Sequence, residues 1–161
     1  ASIGQFDVIY SHGVLEHVRH PQQFFAKTQE LLKDSGLLFT SVANDFNPFQ
    51  EILRTSKGHE PWWLVPPEHL NYFNVESIKR VYQTNQFDVL SCTTSFPIDI
   101  FLLMGDNYIG NNELGAASHG RRKNFEAALE NAGRKDLKDS LYQAFADLGL
   151  GRQVDILGRK A

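Results

Sequence analysis

The sequence predicts an α/β fold, and three observations carry that expectation. A short apolar, β-branched run at Phe6-Asp7-Val8-Ile9-Tyr10 reads as a buried strand, and an amphipathic stretch follows from Pro21. A second buried strand follows at Leu37–Val42, so strand, helix and strand come in close succession. Such a unit builds a parallel sheet through a right-handed crossover. Near the other end, Gln153-Val154-Asp155-Ile156-Leu157 alternates polar and apolar residues, the pattern of a half-buried strand.

Each element has a local cause. Ser11-His12-Gly13 breaks the first strand. Pro21 suits the first turn of a helix, where its missing N–H costs nothing. Phe24, Phe25, Thr28, Leu31 and Leu32 then form one apolar stripe. Lys33 is expected in the last turn, where a cation suits the helix dipole, and Ser35-Gly36 ends the helix with glycine in the left-handed conformation. Residues 45–74 carry four prolines and the aromatics Trp62, Trp63, Tyr72 and Phe73, and read as an irregular lid or binding segment. A lid that merely packs on the core is the rival reading. Asn74 caps a helix bearing Ile78, Val81 and Tyr82, closed by Asn85-Gln86. Phe87–Phe96 is the third strand, with Val89 and Leu90 buried. Residues 97–152 form an insertion. In it Ile98–Met104 fits helix or strand, Asp106–Gly120 is loop with turn glycines, and Arg121–Asn131 is helix. Leu137, Leu141, Phe145 and Leu148 mark a last helix that stops at Gly149.

Composition narrows the function. The 161 residues are 42% hydrophobic and 22% charged, the balance of a globular chain rather than a disordered or fibrous one. A net charge of −3 disfavours a general nucleic-acid binder. No apolar stretch approaches the roughly 20 residues of a membrane span, and none reads as a signal peptide. The single cysteine, Cys92, excludes an intrachain disulfide and suits a reducing, cytoplasmic setting, with the thiol in the core.

The ordered words of the sequence resemble a family. Phe6–Tyr10, with Gly13-Val14-Leu15-Glu16-His17-Val18 and Pro21, is similar to the fourth strand, following loop and helix of class I S-adenosylmethionine-dependent methyltransferases. Leu32–Leu38 and Val42-Ala43-Asn44 resemble the entry and end of the fifth strand. Pro67–Phe73 and Asn85-Gln86-Phe87 resemble the later lid and the turn into the sixth strand. The resemblance covers nearly all of residues 6–96 and extends to the terminal strand. It implies the C-terminal half of a Rossmann-like sheet in the order 4-5-7-6, the last strand antiparallel, with a helical insertion. In that reading 1–161 is a single partial domain: a core at 1–44, an aromatic lid at 45–74, helix and strand at 75–96, the insertion at 97–152 and the terminal strand at 153–161. The glycine-rich cofactor loop of the family has no counterpart in this sequence, so the chain reads as a truncated domain, inactive alone.

The resemblance also assigns roles. Ser11, His12 and Gly13 flank the methionine moiety and sulfonium of S-adenosylmethionine, and Leu15 faces cofactor or core. His69, His17 and His12 are the candidate bases; each of His17 and His69 has a structural reading beside it, as a hydrogen-bond partner or a lid anchor. Asn44 and Asp45 meet substrate or cofactor, and Trp62, Trp63, Tyr72 and Phe73 supply an apolar wall that excludes water. No metal is expected, because Gly13 stands where related metal-using enzymes carry an additional acid. The expected partner is a small-molecule methyl acceptor, such as a sugar or polar metabolite. A non-catalytic α/β binding module is the alternative, and a nicotinamide oxidoreductase lacks its glycine fingerprint here. The bare first strand, Phe6–Tyr10, is expected either to self-associate through its edge or to be covered by an N-terminal half of the domain.

Overall fold

The computed structural model describes residues 4–161. Residues 1–3 of the expected core therefore lie outside the described residues. Four strands form one sheet: β1 (Phe6–His12), β2 (Leu32–Ala43), β3 (Phe87–Thr94) and β4 (Gln153–Lys160), in the spatial order β1-β2-β4-β3. β1 and β2 are parallel, with Tyr10 opposite Phe39. β4 runs antiparallel to both β2 and β3. This is the 4-5-7-6 order that the resemblance implies.

Helix α1 (Pro21–Leu31) makes the crossover between β1 and β2. Its Phe25 and Thr28 are buried, as the stripe requires. The helix ends earlier than expected. Leu32 already pairs with Phe6, so Lys33 lies outside the helix and bonds Asp7 at 2.8 Å. Ser35, not Gly36, takes the left-handed backbone at φ 60°. Gly36 is needed for space instead: a Cβ there would lie 2.9 Å from the Lys33 carbonyl oxygen.

The lid segment is more regular than its prolines suggest, because it contains helix α2 (Pro48–Lys57). Asn47 Oδ1 accepts hydrogen bonds from the Phe49 and Gln50 amides, and Gln50 Oε1 accepts from the Asn47 amide, a reciprocal cap. Helix α3 (Val75–Thr84) is capped by Asn74 as expected. It presses Ile78 and Tyr82 onto the sheet, and the Tyr82 hydroxyl sits 2.8 Å from Thr40 Oγ1. Gly158 on β4 makes room for that ring, since a Cβ there would lie 2.6 Å from Tyr82 Cδ1.

Three further expectations change. Phe6, Val8 and Tyr10 are 44, 54 and 67% exposed rather than buried; they alternate along β1 and share one face of the sheet, while the more buried Ile9 and Ser11 point to the other. Leu90 is exposed, because an irregularity between Val89 and Ser91 shifts the register of β3 against β4. In the insertion, α4 (Ile100–Leu103) is a single helical turn, and α5 (Asn112–Asn131) starts nine residues before Arg121. Asn111 Oδ1 accepts from the Leu114 amide and starts it, so Gly115 and Gly120 are helical, while Gly105 and Gly110 are turn glycines with positive φ. Helix α6 (Lys135–Asp147) ends before Gly149 at φ 70°. Among the described residues no helix is long and apolar enough to cross a membrane.

Candidate functional site

The chain reverses at the carboxyl ends of β1 and β2, where ligands bind in parallel α/β sheets. Gly13 turns there at φ 61°, its amide bonded to the Ser41 carbonyl at 3.0 Å. The turn that follows carries Glu16 and His17 and is clasped by the end of the lid. Leu70 and Asn71 donate their amides to the Glu16 carbonyl at 2.7 and 3.1 Å. Asn71 Nδ2 donates to the Leu15 and Val18 carbonyls at 3.0 and 2.6 Å. His17 Nδ1 donates to the Glu68 carbonyl at 2.6 Å.

Beside this clasp lies a cleft of about 360 Å³. Glu16 and Asp45 line one part of it, Trp62, Trp63 and His69 come from the lid, and Asp99, Tyr108 and Arg152 close it from the insertion side. The carboxylates have different surroundings. Asp99 is buried, and its oxygens accept from Tyr108 Oη at 2.9 Å and Asn47 Nδ2 at 3.3 Å. Burial still raises its pKa above the ordinary carboxylate range, against those two bonds. Glu16 and Asp45 are 6 and 5% exposed, and each leaves one carboxylate oxygen buried without a partner. Burial, then the nearby charges of Glu16 and Asp99, push the Asp45 carboxyl up to about 7. Trp63 Nε1 and His69 Nδ1 are also buried without partners. The cleft thus gathers several buried polar atoms that have no partner among the described residues.

The expected site residues divide. Asp45, Trp62, Trp63 and His69 line the cleft. His17 packs edge-on against His69, ring centres 4.9 Å apart, and one atom each of Glu16, His17 and His69 lies within 4.8 Å of the others. Tyr72 stands behind His69 with its hydroxyl accepting from the Val65 amide at 3.2 Å. Phe73 and Leu15 are buried in the hydrophobic core. Asn44 is 1% exposed and donates through Nδ2 to the Gly149 and Gly151 carbonyls at 3.0 and 2.9 Å, tying β2 to the approach of β4. Ser11 is buried at the end of β1, and His12 is exposed on the edge strand. Gln50, Asp99, Tyr108 and Arg152 escaped the sequence reading. For Gln50 the Asn47–Gln50 capping pattern was a usable sign; for the others no local pattern marks the position.

Comparison with known proteins follows the same lines. A family model described as a methyltransferase domain matches residues 2–92. No curated protein matches the chain significantly. Among solved structures, a protein described as a sarcosine dimethylglycine methyltransferase from Galdieria sulphuraria is 14% identical, with a TM-score of 0.48; the match covers 98% of this chain and 54% of that one. The cyclopropane synthase MmaA2 from Mycobacterium tuberculosis is 14% identical with a TM-score of 0.42, covering 97% and 55%. Phosphoethanolamine N-methyltransferase 2 of Haemonchus contortus, with S-adenosylhomocysteine bound, is 14% identical with a TM-score of 0.47, covering 96% and 33%. The chain thus spans about half the length of the first of these structures. With the family match extending over more than half of its residues, the chain belongs to the methyltransferase-domain family.

Proposed function

We propose that the chain takes part in methyl transfer from S-adenosylmethionine to a small polar molecule. The observation that carries this reading is the cleft at the carboxyl ends of two parallel strands, in a chain of the methyltransferase-domain family. S-adenosylmethionine, when bound, supplies an electrophilic methyl group on a sulfonium. The short side chain of Ser11 and the bare backbone of Gly13, in a left-handed turn, fit the methionine end of that cofactor, and the nearest atom to the place a Gly13 Cβ would take is Glu16 Oε1 at 4.0 Å. Leu15 supports the turn from the core. His69 is the base that borders the cleft; His17 holds the lid to the turn through Glu68, and His12 stands apart on the edge strand. Asn44 and Phe73 support this site from behind, and Tyr72, Trp62 and Trp63 exclude water from it.

The test is calorimetry with S-adenosylmethionine on the intact protein that carries this chain, followed by a methyl-transfer assay on polar acceptors. Heat of binding that weakens at least tenfold in Gly13→Val supports the reading. No binding by the intact protein supports the alternative, a non-catalytic α/β module. His69→Ala is expected to lower turnover 10²- to 10⁴-fold, the range for losing a general base, with cofactor affinity unchanged.

We further propose that β1 pairs edge to edge with β1 of a second copy. Its outer backbone groups have no neighbouring strand among the described residues, and Phe6, Val8 and Tyr10 are exposed beside them. Light scattering is expected to show dimers that Val8→Lys disperses; a monomer at high concentration contradicts the pairing.

A further inference from the structure

We propose that the cleft recognises its acceptor by an organic ammonium group, held by the carboxylates of Glu16, Asp45 and Asp99 against the indole wall of Trp62 and Trp63. The inference rests on the methyl-transfer reading and names its substrate class. Three carboxylates share one cleft with one arginine, Arg152, whose charge acts on Asp99 and whose Nη1 lies 3.2 Å from His119 Nε2. Glu16 and Asp45 are more than nine-tenths buried and each keeps an oxygen with no hydrogen-bond partner. Buried, unpartnered anionic groups are costly, and a cation placed between them satisfies them.

The walls decide which cation. Trp62 and Trp63 lie edge to face, ring centres 4.9 Å apart, and Phe46 packs edge-on against Trp63. Aromatic faces attract alkylammonium groups through the ring quadrupole and shed water around their methyls. A small hydrated metal ion gains little from such walls. Trp63 Nε1, buried and unpartnered, offers one donor to an oxygen carried by the same ligand. The ammonium is a recognition handle, and no proton or methyl step is assigned to it.

Titration at Asp45 tunes the handle. The titratable groups that share the cleft with it are Glu16, His69, Asp99, Tyr108 and Arg152. A carboxyl that loses its proton near pH 7 attracts the cation more strongly above that pH than below it.

Tryptophan fluorescence of the full chain, titrated with choline, with ethanolamine and with 3,3-dimethyl-1-butanol (the neutral carbon analogue of choline), tests the proposal. At least one of the two cations is expected to bind at least tenfold tighter than the neutral alcohol. That binding should weaken about tenfold in Asp45→Asn and in Glu16→Gln, and also between pH 8 and pH 6. Equal binding of alcohol and cation, or no binding by either cation, overturns it without recourse to any variant. So does displacement of the bound cation by S-adenosylhomocysteine, which reassigns the cleft to the cofactor, or by magnesium or zinc chloride, which makes it a metal site. The methyl-transfer reading fails separately, through the absence of cofactor binding.

Discussion

Replacing Gly151 with alanine is expected to lower the stability of the protein by about 3 kcal/mol or more, a fall in Tm of roughly 10 °C. Two effects combine at this one position. Gly151 has φ 117°, a backbone region closed to residues with a side chain. A Cβ there would also lie 2.5 Å from Thr94 Cβ and 2.6 Å from the Ser95 carbonyl oxygen. Neither neighbour is the tip of a flexible chain, so backbone must move. That backbone joins β3 to β4, and the Gly151 carbonyl also accepts from Asn44. Gly115→Ala is the matched control. It lies in α5 with nothing within 4 Å of the added atom, and is expected to be stabilising by about 0.5–1 kcal/mol, since alanine is the better helix former. Thermal unfolding of both variants checks the pair. Equal Tm values for Gly151→Ala and the parent contradict the steric account.

The second large effect is a pH slope. The Asp45 carboxyl titrates at about 7 in the folded chain, against 3.8 for the free group. Between those values the folded state holds a proton that the unfolded state has released. Stability therefore decreases as pH rises from about 4 to about 7, by at most about 1.4 kcal/mol per pH unit from this group. The contribution is fully present below pH 4 and lost above pH 7. Asp45→Asn removes it, so the variant should equal the parent near pH 4 and exceed it in Tm at pH 8. Denaturant unfolding at pH 4, 6 and 8 measures the difference. Parallel curves for the two proteins across that range contradict the assignment. Together with the cation proposal, this makes Asp45 a residue whose charge weakens the fold and strengthens recognition.

Much of the architecture was legible from local pattern. Phe6–Tyr10, Leu37–Val42 and the alternation of Val154 and Ile156 located three strands, and Pro21 and Asn74 located two helix starts. Two of the misreadings share a cause. Helix α2 was hidden by Pro48, although proline is well suited to a first turn and Asn47 with Gln50 forms the cap. The start of α5 was hidden by Gly115 and Gly120, which propensity reads as turns although an asparagine cap precedes them. Leu90 points outward because of a pairing irregularity that no single-strand pattern contains. The site was half legible. Asp45 and the Trp62-Trp63 pair stand out by composition and position. Asp99, Tyr108 and Arg152 reach the same cleft from sequence positions far from it, and their proximity exists only after the insertion packs back on the sheet.

The clasp between Asn71 and the turn after β1 has a kinetic consequence. Four hydrogen bonds tie residues 70–71 to the carbonyls of Leu15, Glu16 and Val18, within a few residues on each side. Bonds so concentrated break together, so the lid end and this turn form one cooperative unit in native-state hydrogen exchange. A lid that opened by swinging at residue 70 would have to strip the Glu16 carbonyl of both its donors at once. Gly58, the left-handed cap that ends α2, lies outside that clasp. Exchange of the amides at Leu70 and Asn71 is thus expected to follow that of the turn after β1 and not that of α2.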